Sequence, residues 1–206
     1  MERTGLVLVV CAPSGTGKTT LVKMLRQEFP QIGFSTSCTT RPPRAGEITG
    51  QDYNFISHEE FLELQRAGYF AEWADVYGNL YGTPLNHTLE ILRSGRDVLF
   101  DIDVQGASQL KLTLSGGRYV FILPPSLKVL EERLRGRAQD SGEAIQQRLQ
   151  AARDEIREAH WFDAWIVNDD LQRAYDALRS VYIAAMLSPG RRPLTLRNIL
   201  DGKTAS

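Results

Sequence analysis

Ala12-Pro13-Ser14-Gly15-Thr16-Gly17-Lys18-Thr19 follows an apolar run over residues 6–11 and precedes a helical pattern at Leu21, Leu25 and Phe29. A strand that ends in a glycine-rich turn and then opens a helix offers backbone N–H groups and the positive end of a helix dipole to an anion. Gly15 and Gly17 permit the turn, Lys18 can reach β- and γ-phosphates, and the Thr19 hydroxyl can ligate Mg²⁺. The spacing fits G-x-x-x-x-G-K-[ST] except at the first position, where Ala12 stands in place of glycine. Such a segment implies a nucleoside triphosphate site, with Lys18 on an exposed turn. An ordinary glycine-rich connection between strand and helix is the plainer alternative.

Asp101 and Asp103 follow a second apolar run. In an open parallel sheet the carboxyl ends of the strands face the ligand crevice. Asp101 is therefore expected to hold the Mg²⁺ shell through water, and Asp103 to point the same way toward a second substrate. Two solvated loop carboxylates would look alike in sequence, so the pair gains meaning from the phosphate turn. Arg41 and Arg44 lie on the proline-stiffened stretch Thr40-Arg41-Pro42-Pro43-Arg44, and arginine forks match phosphate oxygens. Tyr53 and Tyr81 can add hydroxyl donors to the same anion. Arg133, Arg137 and Arg148 form a second basic cluster, in which Arg133 and Arg137 share a helix face. Like charges so placed repel unless an anion lies between them, although a solvated basic helix face has the same spacing.

Two arginine clusters beside a phosphate turn imply phosphate on both sides of a transferred group. An acceptor that is itself a phosphate brings an anionic oxygen as nucleophile and needs no general base. Catalysis then reduces to alignment, charge neutralisation and exclusion of water. No H-R-D-type loop or evident catalytic histidine stands in the sequence, which argues against a hydroxyl acceptor. Glu72, among the aromatics of Phe70-Ala71-Glu72-Trp73-Ala74, can accept from the N1–H and 2-amino group of guanine, whereas adenine presents an acceptor at N1. Ser37, Thr83 and Asp103 can complete that polar edge. A bidentate base contact discriminates by about 1–3 kcal/mol. A surface glutamate remains the alternative.

Positioning these groups requires a fold. Apolar runs alternate with helical patterns, which predicts an α/β fold: a parallel sheet of the P-loop NTPase type with helices on both faces. Strands are expected at 6–11, 97–100, 119–123 and 165–167, with another near 34–37. Helices are expected at 18–28, 84–94, 106–114, 127–137, 143–160 and 171–187. The stretch from 39 to 82 reads differently, with clustered turns, strand-like aromatics and one short helix opened by the capping box Ser57-His58-Glu59-Glu60. It is expected to be a small β-rich insertion, and 125–162 a helical lid. The core is then 5–38, 83–124 and 163–187, within a single domain of 206 residues that ends in a basic tail at 188–206.

The formal net charge of −1 gives no broad basic field for nucleic acid or an anionic membrane. The longest apolar run is about seven residues, far short of the ~20 that span a bilayer. The start carries no apolar signal region, so a cytoplasmic protein is expected; monomer and homo-oligomer both fit. Cys11 and Cys38 suit two inert thiols in a reducing compartment. His58, His87 and His160 lack metal-site spacing and are expected to be structural or surface residues.

Several blocks, in their order and spacing, resemble the guanylate kinase family. They are the phosphate turn, Thr39-Thr40-Arg41-Pro42-Pro43-Arg44-Ala45-Gly46-Glu47, Gly50-Gln51-Asp52-Tyr53, Gly78-Asn79-Leu80-Tyr81-Gly82-Thr83, Asp101-Ile102-Asp103-Val104-Gln105-Gly106 and Ile166-Val167-Asn168-Asp169-Asp170. The resemblance covers about residues 5–187, and the block with Arg41 and Arg44 is its specific part. It implies ATP + GMP (or dGMP) ⇌ ADP + GDP (or dGDP) with Mg²⁺, in purine nucleotide metabolism. ATP contacts would come from Ala12, Pro13, Ser14, Gly15, Thr16, Gly17, Lys18, Thr19 and Thr20, with Asn168 near the adenine. GMP contacts would come from Ser37, Arg41, Arg44, Tyr53, Glu72, Tyr81, Thr83 and Asp103. Lys18, Arg41 and the lid residues Arg133, Arg137 and Arg148 would be catalytic, the lid arginines straddling the transferred group. Leu80, where an aromatic is more usual, and Ala12 are minor departures.

Two other readings deserve weight. A non-catalytic binding module of this type would typically lose the lysine or the lid arginines, all of which stand here. A kinase of the same superfamily acting on ribose 1,5-bisphosphate would have no use for Glu72 and the tyrosines, because a sugar phosphate has no base edge.

Overall fold

A computed structural model describes residues 5–44, 46–76, 78–114, 116–136, 142–191 and 195–202. Strand β1 (Val7–Cys11) is buried along its whole length because it lies in the middle of a five-stranded sheet. Its neighbours are β7 (Val98–Asp101) and β8 (Arg118–Leu123), both parallel to it. The short β2 (Gly33–Phe34) pairs outside β7, and β9 (Ala164–Val167) outside β8, also in parallel. The order is β2-β7-β1-β8-β9.

A parallel sheet buried on both faces needs helices on both, and side chains that alternate along β1 are shared between two cores. Leu8 and Val10 pack with Leu21 and Leu25 of α1 (Lys18–Glu28) and with Leu178 and Tyr182 of α7 (Leu171–Met186). Val7 and Val9 pack with Ile91 of α3 (Leu85–Arg93) and with Ala107 and Leu110 of α4 (Val104–Thr113). The buried Asp97 carboxylate accepts from the Leu6 N–H at 2.8 Å and the Tyr182 hydroxyl at 2.7 Å, tying the start of β1 to α7.

A second sheet carries the other wall of the site. It contains β3 (Cys38–Thr39), β4 (Asn54–Phe55), β5 (Phe70–Val76) and β6 (Asn79–Pro84), in the order β4-β3-β6-β5. Helix α2 (His58–Arg66) covers it by placing Phe61 against Phe70, Leu80 and Cys38. Ser57 caps α2 by accepting from the Glu60 N–H at 3.1 Å. Helices α5 (Leu127–Arg135) and α6 (Gly142–Glu158) pack on one another through Leu130, Leu134, Ile145 and Leu149. Ile156, near the end of α6, packs against the core beside α4.

Several boundaries differ from those expected, each for a local reason. The strand expected near 34–37 is two short strands in different sheets, because the chain leaves the edge of β7 after Phe34 and enters the second sheet at Cys38. The third helix begins after Pro84, which ends β6 and cannot donate to a helix. Helix α4 begins two residues early because Asp103 caps it. Helix α5 stops at Gly136, and Arg137 lies outside the described residues. Helix α6 passes into a tighter turn at Ala159–Trp161. The tail, given no element in advance, holds a short α8 (Thr195–Leu200). Among the described residues, no helix is long and apolar enough to cross a membrane.

Candidate active site

The turn between β1 and α1 depends on two glycines with φ of 92° at Gly15 and 94° at Gly17. Side chains seldom adopt that conformation, and a Cβ on Gly17 would strike the Asn168 amide. Gly17 caps α1 with no side chain, which leaves the first turn suited to an anion. Thr16 is fully buried, and its hydroxyl donates to the Pro13 carbonyl at 2.8 Å. It therefore holds the turn rather than offering a side chain to ligand. Ala12 is buried in the core beside β1 and α1, so the departure from glycine adds packing. Ser14, Thr19 and Thr20 are exposed. Behind the turn, the Asn168 side chain donates to the Thr16 carbonyl at 2.6 Å. Arg133 donates to the Asn168 carbonyl at 2.9 Å and more weakly to that of Thr16 at 3.4 Å. Asn168, expected near an adenine, is thus also a brace for the turn; with Gly15, Gly17, Arg133 and Leu171 it lines a cleft beside it.

Lys18 is half-buried rather than exposed. Its Nζ lies 2.6 Å from Asp101 Oδ1 and donates to the Ile102 carbonyl at 3.0 Å. Burial opposes its charge, but the charge and hydrogen bond of the facing Asp101 carboxylate, with Cys11 and Glu155 adding to them, together hold the ammonium above its ordinary pKa. Asp103 caps α4 by accepting from the Gly106 N–H at 2.8 Å. Lys18, Thr19, Asp101 and Asp103 line one side of a cavity of about 360 Å³; Ser37, Tyr53, Glu72 and Tyr81 line the other. It opens at the carboxyl ends of β1 and β7, where an open α/β sheet binds its ligands.

Glu72 enters this cavity through a register shift in β5. Phe70 pairs with Pro84 and Glu72 with Thr83, so Ala71 is an extra residue, and such a bulge re-aims the side chain after it. Glu72 then accepts from the Thr83 hydroxyl at 2.5 Å, and Thr83 Oγ1 lies 3.1 Å from the Ser37 hydroxyl. Glu72 is only 4% exposed. Burial pushes its pKa up to about 7, with Asp103 adding to the rise and Thr83 opposing it. Nearby, Arg41 Nη2 donates to both Glu47 carboxylate oxygens, at 2.8 and 3.0 Å, and Arg41 Nε donates to the Tyr81 hydroxyl at 3.2 Å. Its guanidinium lies 5.6 Å from the Tyr53 ring centre. Glu47 also accepts from the Arg44 N–H at 2.7 Å, which fixes the loop between them.

Residues 4–185 match the sequence model for guanylate kinase. The chain belongs to the guanylate kinase family. It is 61% identical to a guanylate kinase of Nitratidesulfovibrio vulgaris over 98% of this chain and 97% of that one. A guanylate kinase of Lawsonia intracellularis is 57% identical over 98% of this chain and 95% of that one. Among solved structures, the crystal structure of guanylate kinase from Anaplasma phagocytophilum superposes with a TM-score of 0.76 at 32% identity, over 98% of this chain and 96% of that one.

Within this guanylate kinase framework, not every expected residue reaches the central cavity. The Arg44 side chain is exposed on its loop, and Arg148 lies half-buried on α6; neither lines that cavity. Four residues gain importance that their sequence positions did not suggest. Glu47 grips Arg41, and Asp97 anchors β1. Gln109 of α4 exchanges two hydrogen bonds with the backbone of Trp73, at 3.1 and 2.7 Å. Glu155 of α6 is half-buried, and burial lifts it to about 7, while Lys18 opposes the rise and Asp103 adds to it. The three histidines are exposed. Both cysteines are buried and free; burial pushes the Cys11 thiol up and the Cys38 thiol up to about 11, so neither is a ready nucleophile. Thr19 and Asp101 offer only oxygen donors beside Lys18, a set that fits Mg²⁺ bound mainly through phosphate oxygens and water.

Proposed function

We propose that the protein transfers the γ-phosphoryl group of ATP to GMP or dGMP, forming ADP and GDP or dGDP. The observation that carries this reading is a cavity that sets Glu72 and Ser37, linked behind it through Thr83, opposite Lys18 and Thr19. The second sheet, about 39–82, would hold GMP. Glu72 would accept from guanine N1–H and the 2-amino group, and Ser37, Thr83 and Asp103 would border the base. Arg41, Arg44, Tyr53 and Tyr81 would receive its phosphate, which takes the place of Glu47 at Arg41.

ATP would lie across the turn from Ala12 to Thr20, with its adenine toward Asn168. An oxygen of the GMP phosphate attacks the γ-phosphorus as the bond from that phosphorus to the β-bridging oxygen breaks, and ADP leaves. No proton needs to be abstracted, so the protein contributes alignment and charge. Lys18 follows the charge that develops on the transferred group. Arg133, Arg137 and Arg148, from the lid at about 125–162, neutralise the rest and exclude water. Mg²⁺, held by Thr19 and by Asp101 through water, would shield the phosphate charges when bound. Free nucleotides in the cytoplasm, rather than nucleic acid or membrane, are the partners this chemistry requires.

The test is transfer of a radiolabelled γ-phosphate. Label should appear in GDP in equal amount to the ADP formed. Label released only as inorganic phosphate would contradict the proposal.

A further inference from the structure

The base-reading carboxylate sits on the second sheet, yet the element pressed against it is a helix of the core. Gly106, in the first turn of α4, is buried. A Cβ built there would lie 2.5 Å from Glu72 Oε2 and 3.3 Å from Asp103 Oδ1. A hydrogen in place of a methyl is thus what allows the carboxylate its position. The helix cannot simply stand further off. Three residues along, the Gln109 side-chain amide pairs with Trp73 as a neighbouring strand would. Its Oε1 accepts from the Trp73 N–H at 3.1 Å, and its Nε2 donates to the Trp73 carbonyl at 2.7 Å. Trp73 adjoins Glu72 on β5, the edge strand of the second sheet. The clasp at Gln109 sets the depth of the contact, and Gly106 leaves the room.

We propose that Gly106 and Gln109 are specificity-determining positioning residues that fix the place from which Glu72 reads the purine base. This rests on the role given to Glu72 above. It also separates base reading from fold stability. The atom that a Cβ at Gly106 would meet is the far end of a flexible side chain, and alanine suits a helix better than glycine. Gly106→Ala should therefore leave the helix in place and move the carboxylate off its bond from Thr83.

The experiment measures KM for GMP, for IMP (which lacks the 2-amino group) and for ATP, together with thermal melting. The proteins are the wild type, Gly106→Ala, Gln109→Ala, Glu72→Gln, Glu72→Asp and the double variant Gly106→Ala/Glu72→Asp. We expect Gly106→Ala and Gln109→Ala each to raise the GMP KM by about tenfold and to narrow the preference for GMP over IMP. ATP KM should hold in both, and Gly106→Ala should melt as the wild type does. The shorter aspartate retreats from the added methyl, so the double variant should lose less than the product of the single losses. Multiplicative losses, or a GMP KM unmoved in both α4 variants while Glu72→Gln raises it, would overturn the seat. A GMP KM unmoved by Glu72→Gln would overturn the reading of Glu72 and the seat with it.

Discussion

Glu72 stands where its charge is costly, with a neutral hydroxyl as its hydrogen-bonding partner. Its pKa rises from 4.5 to about 7 in the fold, so across that window the folded chain binds more protons than the unfolded one. Stability from this group is therefore present at low pH and lost as pH rises toward 7, by on the order of 3 kcal/mol. Only the ionised form can accept both guanine donors, so under the proposed role of Glu72 GMP capture would run the other way. Glu72→Gln should raise the melting temperature at pH 8 and cut kcat/KM for GMP by about 10–100-fold. The fall in wild-type kcat/KM below about pH 7 should lose its Glu72 component in the variant; melting curves and rates across pH check both. Lys18→Ala should lower kcat by about 100–1,000-fold while GMP still binds, as calorimetry would show. Its melting temperature should fall modestly, because Asp101 loses its ion pair. The glycine turn and the helix that follows it were legible because their pattern is local in sequence. Gln109, Asp97 and Glu155 were not, since each acts on a group that only the folded chain brings near.

Elements deliver these residues, and their ends matter most. The capping box at Ser57 announced α2, and the pattern of Leu21 and Leu25 announced α1, because both signals lie within a few residues. The extra residue in β5 that turns Glu72 inward left no mark, since a bulge is defined by its partner strand. Nor could spacing show that Asp103 starts α4 while also bordering the cavity. The last strand, β9, hands the chain to Asn168, which braces the phosphate turn from the far side. Asn168→Ala removes a donor from the Thr16 carbonyl, an interaction that crosses 152 residues of chain. It should raise the KM for ATP by about tenfold, the effect of a lost buried hydrogen bond of roughly 1–2 kcal/mol. The KM for GMP should hold; steady-state kinetics with each substrate varied in turn would show it.

At the scale of the whole molecule, two sheets meet over one cavity, and a helical pair with its own small core borders the phosphate turn. The alternation of apolar runs and helices foretold the large sheet, and the composition of 39–82 foretold a β-rich stretch. Strand order could not be read, because pairing β1 between β7 and β8 joins segments about ninety residues apart in one case. The proposed division of labour uses this architecture: phosphate of the donor would lie on the large sheet and the acceptor base on the small one. Its most direct test is the rate of ADP formation from ATP with Mg²⁺ and GMP, dGMP, AMP, UMP or ribose 1,5-bisphosphate, each supplied alone. The account predicts turnover with GMP and dGMP, and rates at least ~100-fold lower with the others. Turnover of AMP or the sugar phosphate to match GMP, or a folded protein inert toward GMP, would contradict it.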